Sequence, residues 1–286
     1  MKLIHITDTH LVKSGERLYG LDPQARLEAC VADINRHHAD AALCVITGDL
    51  THWGEPEAYL LLRDCLAPLA VPFHLVVGNH DDRGPFLEIF PETPTDDNGF
   101  VQSMRETPVG RFLFLDTIQP GTHAGHYCEA RLAWLGAQLA DARQNERPVY
   151  LFMHHPPFDV RLRPLDAIGL LDAEPLRALV KPHAVNLRHI FFGHVHRPIS
   201  GSWCGIPFTT LRGTNHQCWL DFTAVEMIPG SHEPPAYAIA FLDGETTVVH
   251  FHDYLDASEK YHMGSLNWAD WQKEEAPVPA DLSAAD

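Results

Sequence analysis

Five short apolar runs along the chain each end in residues able to bind a metal ion. Leu3-Ile4-His5-Ile6 ends at Asp8 and His10, and Leu43-Cys44-Val45-Ile46 ends at Gly48-Asp49. His74-Leu75-Val76-Val77 leads into Gly78-Asn79-His80-Asp81. Val149 to Met153 runs into His154-His155, and Ile190-Phe191-Phe192 into Gly193-His194-Val195-His196. Short apolar runs bounded by Gly or Pro predict buried strands. Helical patterns fill the gaps. Asp22-Pro23 supplies an N-cap and a first-turn proline, after which Leu27, Cys30, Val31 and Ile34 recur at helical spacing. A second helix is predicted after Gly54-Glu55-Pro56 with Tyr59, Leu62 and Leu66 on one side, and a third carries Leu132, Leu135 and Leu139. A short fourth lies around Leu176 to Val180. Strands alternating with helices predict an α/β fold with ligands at the carboxyl ends of strands.

The grammar changes after about residue 197. Ile206 to Leu211 and Thr223 to Ile228 read as strands, and Ala238 to Leu242 pairs with Thr246 to Phe251 through an Asp243-Gly244 turn. A second, more antiparallel sheet completing a sandwich is therefore expected. Residues 1–255 are read as the main domain. Residues 256–286, acidic and then Ala/Pro-rich, are read as a peripheral segment, a cap or a dimer contact carrying Tyr261, Trp268 and Trp271.

Charge narrows the partners. With 38 Asp+Glu against 21 Lys+Arg the net charge is −17, which argues against a nucleic-acid polymer or an anionic membrane surface. A small anionic substrate stays open, because bound metal ions reverse the sign locally. No apolar run reaches the ~18 residues of a membrane span. The first residues lack a signal h-region, and the six cysteines form no CxxC pair. A cytoplasmic protein with reduced thiols is expected. Twenty histidines, nearly as many as all Lys and Arg, call for an account.

Asp8, His10, Asp49, Asn79, His154, His194 and His196 supply carboxylate, imidazole and amide donors without thiolate. Such donors suit Mn, Fe, Co or Zn as divalent ions. Seven protein ligands are too many for one ion and natural for two, with a carboxylate such as Asp49 as the bridge.

The ordered pattern Asp-x-His, Gly-Asp, Gly-Asn-His-Asp, His, Gly-His-x-His, over residues 8–196, resembles the metallophosphoesterase superfamily. Further segments resemble its class III cyclic nucleotide phosphodiesterases and bacterial glycerophosphodiesterases: Gly15 to Gly20, Gly54-Glu55-Pro56-Glu57, Phe152 to Pro157 and Gly213-Thr214-Asn215-His216-Gln217. The resemblance implies a four-layer α/β/β/α sandwich of two mixed sheets. It implies a first ion on Asp8, His10, Asp49 and His196, and a second on Asp49, Asn79, His154 and His194. Hydrolysis of a small phosphodiester by a hydroxide bridging the ions, attacking phosphorus in line, follows from such a site. Cyclic AMP or a glycerophosphodiester is the expected substrate, a phosphomonoesterase or protein phosphatase the alternative, and a non-catalytic scaffold a further one. His80 is expected to position the phosphate with Asn79 or protonate the departing alkoxide, with Asp81 orienting its ring. His216 is a second such histidine by resemblance, and a homo-oligomer, a dimer or an assembly of dimers, is expected.

Other residues carry plainer readings. Asn79 can serve its amide or simply tolerate a left-handed backbone. His155, pointing away from His154, is structural or supports a ligand from behind. His52 either faces the substrate or begins a helix, and His5 and His74 belong to the core. His37-His38 suit a helix C-terminus. Arg161, Arg163 and Arg197 either reach an anionic substrate or solvate the surface.

Overall fold

The computed structural model describes residues 1–261. In chain order it begins with β1 (Lys2–Ile6), α1 (Pro23–His37), β2 (Leu43–Thr47), α2 (Pro56–Leu66), β3 (Phe73–Val76) and α3 (Arg83–Ile89). Next come β4 (Ser103–Thr107), β5 (Gly110–Phe114), β6 (Gly125–His126), α4 (Glu129–Gln144) and β7 (Val149–Met153). After α5 (Arg163–Asp166), β8 (Leu170–Leu171) and α6 (Glu174–Val180) stands β9 (Leu187–Phe192). The rest is strand and loop: β10 (Ile199–Trp203), β11 (Ile206–Thr210), β12 (Gln217–Cys218), β13 (Gly230–Ser231), β14 (Tyr237–Leu242) and β15 (Thr247–His252).

Period-two alternation sorts the strand side chains into layers. Leu3, Leu43, Val45 and Val76 of one sheet meet Phe112, Phe114, Tyr150, Phe152 and Phe191 of the other in a shared core. The Phe152 and Phe191 rings stack there at 5.0 Å. Each such buried ring contributes roughly 1.5–3 kcal/mol. The intervening positions Ile4, Ile6, Cys44 and Ile46 face the other way, onto Leu27, Val31, Tyr59 and Leu62 of α1 and α2. Leu151, Ile190 and Phe192 likewise pack on Leu135 and Leu139 of α4 and on Leu176 of α6. The order is therefore helix, sheet, sheet, helix. α1 starts where expected, with Asp22 accepting from Ala25 N at 3.0 Å and Pro23 in the first turn.

One sheet runs β15-β14-β1-β2-β3 and the other β10-β11-β9-β7-β5-β4. β1, β2 and β3 are mutually parallel, as are β5, β7, β9 and β11. Among the described residues after 197, only the short β12 and β13 pair with each other alone; the longer strands join the sheets already built and do not form the separate antiparallel sheet that the pattern suggests. β10 and β11 extend the sheet of β9, and β14 and β15 that of β1, so each pair satisfies backbone groups that would otherwise be an open edge. Thr223 to Ile228 is not a strand. Asp221 accepts from Thr223 N at 2.7 Å and Ala224 N at 3.2 Å, a local turn that competes with ladder pairing. Met1–Leu255 is one compact unit. Trp268 and Trp271 of the proposed C-terminal segment lie outside the described residues.

Candidate metal centre

Parallel strands bring their carboxyl ends to one edge of each sheet, and the chain turns sharply there. Asp8, His10, Asp49, His194 and His196 all have positive φ, between 44° and 70°. Each such non-glycine residue costs about 1–2 kcal/mol, a strain typical of residues held for their chemistry. Asn79 is not among them, so tolerance of a left-handed backbone does not explain it.

The geometry forms two donor sets. In the first, donor atoms of Asp8, His10, Asp49 and His196 all lie within 4.8 Å of one another, and all four residues are buried. His10 Nε2 is 3.1 Å from His196 Nε2 and 3.5 Å from Asp49 Oδ2, and His196 Nε2 is 3.2 Å from Asp8 Oδ1. In the second, Asn79 Oδ1 lies 3.1 Å from His154 Nε2 and 3.0 Å from His194 Nδ1. His154 Nε2 is also 3.3 Å from Asp49 Oδ1. Asp49 thus turns one oxygen to each set, the arrangement a bridging carboxylate needs. The Asn79 amide is held by its other end, Nδ2 donating to His123 Nδ1 at 3.1 Å.

These contacts bring acceptors against acceptors. His154 donates Nδ1–H to Thr47 O at 2.7 Å, and His196 donates to His216 O at 2.8 Å. In the neutral rings the inward Nε2 atoms are then lone pairs facing oxygens and each other. A cation resolves that conflict, and oxygen and imidazole donors without sulfur suit a divalent ion such as Mn, Fe, Co or Zn. Without one, protons take the place. Burial by itself lowers the His154 ring, but Asp49 outweighs it and raises the ring to about 9. Burial would raise the Asp49 carboxyl, yet His154, His80 and His10 hold it well below the usual range. His194 is lowered to about 3 by burial and His154, and its buried Nε2 has no partner.

A pH-linked binding reaction follows. Below about pH 9 the proton on His154 must leave before Nε2 can take a cation. Calorimetric titration of metal-stripped protein with Mn²⁺ at about pH 7, in buffers of different ionisation enthalpy, should show about one proton released from this ring. Release should fade as the pH rises through 9 and be smaller by that proton in His154→Asn. Equal proton release by wild type and His154→Asn at about pH 7 would count against this exchange.

Around the two sets the chain places further histidines. His80 N donates to Asp49 Oδ1 at 2.9 Å, and its ring Nδ1 donates to His52 O at 2.8 Å. The expectation that Asp81 orients the His80 ring is corrected here: the His52 carbonyl does so. The buried Asp81 carboxylate is taken by Gly78 N at 2.8 Å, by Leu50 N and Thr51 N at 3.1 Å, and by Tyr59 OH at 3.0 Å. It knits the Asp49 loop to the Asn79 loop. His216 comes in from the far end of the chain, its ring 4.8 Å from that of His10 and 4.5 Å from that of His196. Burial, then His196, His52 and His80, lower it to about 2, so it is neutral.

Three residues at the site were missed or left open by the pattern. His52 stacks on His80 at 4.6 Å, His123 holds Asn79, and Tyr19 lies against His216 at 4.6 Å. None follows a metal-ligand spacing, although Tyr19 stands inside one of the resembling segments. His155 spends both nitrogens behind the centre, on Thr117 Oγ1 at 2.7 Å and His123 O at 3.1 Å. His5 bonds Thr47 Oγ1 at 2.8 Å and His74 stacks on Phe114, both within the sheets. Arg161, Arg163 and Arg197 do not line the cleft above the donor sets, and Arg197 donates to Cys218 O.

Known proteins agree with this architecture. A probable cyclic nucleotide phosphodiesterase of Rhodopseudomonas palustris is 47% identical over 256 residues, 87% of this chain and 91% of that protein. The glycerophosphodiester phosphodiesterase GpdQ of Enterobacter lignolyticus is 34% identical over 224 residues, covering 76% of this chain and 78% of its own. Among solved structures, a dimetal phosphatase from Danio rerio superposes with a TM-score of 0.67 at 17% identity, over 87% of this chain and 95% of that one, a likeness of fold. Residues 1–198 match the description of calcineurin-like phosphoesterases, a stretch running from β1 through the loop of His194 and His196. Since that stretch holds all five strand-end clusters, the chain belongs to the calcineurin-like phosphoesterase family.

Proposed function

We propose that this protein hydrolyses small phosphodiesters with two divalent metal ions, one on Asp8, His10, Asp49 and His196, the other on Asp49, Asn79, His154 and His194. The observation that carries the substrate class is the cleft over the two donor sets. It encloses about 420 Å³, and among the described residues no Lys or Arg lines it. Its walls include Tyr19, His52, Leu165, Ile168 and Ile228. A volume of that order suits a small molecule. A diester carries one negative charge where a monoester approaches two at neutral pH. A cleft whose described walls offer no Lys or Arg suits the single charge. The names of the relatives, cyclic nucleotide phosphodiesterase and glycerophosphodiester phosphodiesterase, support the same class.

When bound, the ions supply Lewis acidity toward the phosphoryl oxygens and lower the pKa of water at the centre. The chain does the rest. Asp49 holds the two positions in register through its separate oxygens. His80, with Nδ1–H committed to the His52 carbonyl, turns Nε2 to the substrate; protonated on both nitrogens, it gives the Nε2 proton to the departing alkoxide and is left as the neutral Nδ1–H ring. His216, neutral, serves as a hydrogen-bonding wall that positions the phosphate. Asn79 contributes its amide oxygen to the second position and Asp81 its rigid loop.

His80→Ala should retain both ions and lower turnover by about 10²–10⁴-fold, the usual worth of a positioned proton donor. Metal content and the pH profile of kcat are the readouts, and an unchanged profile removes the role. The class itself is tested with a matched aryl diester and monoester on one Mn²⁺-reconstituted preparation. A monoester rate far above the diester rate would make the protein a phosphomonoesterase. No bound metal and no metal-dependent thermal stabilisation would make it a scaffold. Between the leading diesters, kcat/KM for cyclic AMP against glycerophosphoethanolamine decides. A hundredfold preference, about 2.7 kcal/mol, assigns either nucleotide signalling or headgroup salvage. The six unpaired cysteines support a reducing compartment such as the cytoplasm.

A further inference from the structure

Three imidazoles direct Nε2 into the donor sets: His10, His154 and His196. For Nε2 to offer its lone pair, the ring proton must sit on Nδ1, and a buried Nδ1–H needs an acceptor. Two of the three acceptors are backbone, Thr47 O for His154 and His216 O for His196. No side-chain substitution removes a carbonyl. His10 differs: its Nδ1 faces Nδ1 of His52 at 3.1 Å, a side chain.

We infer that His52 is a positioning residue for the first metal ion, accepting Nδ1–H of His10 and so locking the tautomer that turns His10 Nε2 toward the cation. His52 is itself firmly held. It is buried, its N donates to Leu11 O at 2.9 Å, and its carbonyl accepts from His80 Nδ1 at 2.8 Å. Its ring stacks on His80 with the planes 17° apart. With Nδ1 given to His10, His52 supports the ion from behind rather than binding it. One residue thereby sets the direction of a metal ligand with its side chain and of the substrate-facing His80 with its carbonyl. Asp81, which ties down Thr51 next door, keeps that carbonyl in place.

The inference rests on His10 being a metal ligand, and its test uses no turnover, so its failure is separable from failure of the phosphodiesterase reading. Metal-stripped wild type, His52→Phe and His52→Asn are titrated with Mn²⁺ and fitted for two positions. Phe keeps a ring against His80 and has no acceptor, whereas the Asn side-chain oxygen can accept from His10. Phe should weaken the first ion by about 10–100-fold and leave the second unchanged, the usual cost of losing a partner behind a metal ligand. Asn should recover most of the loss. Unchanged first-ion affinity in Phe, or equal losses in Phe and Asn, overturns the inference. Nitrogen-15 spectra of the metal-free wild type give a reading independent of any variant: His10 protonated on Nδ1 is expected, and His10 protonated on Nε2 overturns it.

Discussion

Asp49→Ala should release both metal ions and lower kcat/KM by about 10⁴-fold or more, roughly 5.5 kcal/mol of transition-state stabilisation. The reason is the division of its carboxylate. Oδ2 lies 3.5 Å from His10 Nε2 and Oδ1 3.3 Å from His154 Nε2, so one side chain serves both donor sets. Oδ1 also accepts from His80 N, so the same substitution frees the loop carrying the proposed proton donor. Asn79→Ala provides the contrast. Its oxygen touches only the His154 and His194 side of the centre, so the second ion should weaken more than the first. Metal analysis after dialysis reads both variants. A full equivalent of tightly held ion in Asp49→Ala would show that the carboxylate is not shared, and equal loss of both ions in Asn79→Ala would undo the partition.

Gly78→Ala should be strongly destabilising, by about 3 kcal/mol or more, because the new carbon has nowhere to go. It would land on the backbone nitrogen and Oδ1 of Asp49 and 2.9 Å from His154 Cε1. Gly78 lacks a positive φ, so the effect is purely one of space. Gly15 gives the complementary case: φ is +84° and nothing lies within 4 Å, so Gly15→Ala meets only backbone strain of about 1–2 kcal/mol. Thermal melts of metal-free protein should separate the two, and only Gly78→Ala should also impair metal uptake. Similar melting shifts for both would mean that the loop relaxes around Gly78.

Much of this site is legible in the amino-acid sequence. The strands before Asp8, Asp49, Asn79, His154 and His194 announce themselves by short apolar runs, and α1 by Asp22-Pro23 and its buried stripe. These signals are local, carried by residues a few positions apart. Sheet membership is not local in this way. Thr223 to Ile228 has strand-like composition, yet the Asp221 turn beside it decided otherwise. Ala238 to Leu242 does pair with its expected partner, the strand Thr247–His252, but this hairpin and the strand at Ile206 join the two sheets already built instead of making a separate one. Pairing is chosen by which edges the earlier strands leave open.

The same division runs through the chemistry. Chain order alone settled which donor types stand at which strand ends, because a ligand's identity and its place after a strand are written in neighbouring residues. Tertiary structure alone decided which atom of each donor faces inward. That choice belongs to partners far away in sequence: His10 to His52, His196 to the carbonyl of His216, His154 to that of Thr47, Asn79 to His123. It also moved Asp81 from His80 to the backbone of the Asp49 loop. A ring nitrogen's proton goes to the acceptor nearest in space, and only the folded chain brings that acceptor within hydrogen-bonding distance.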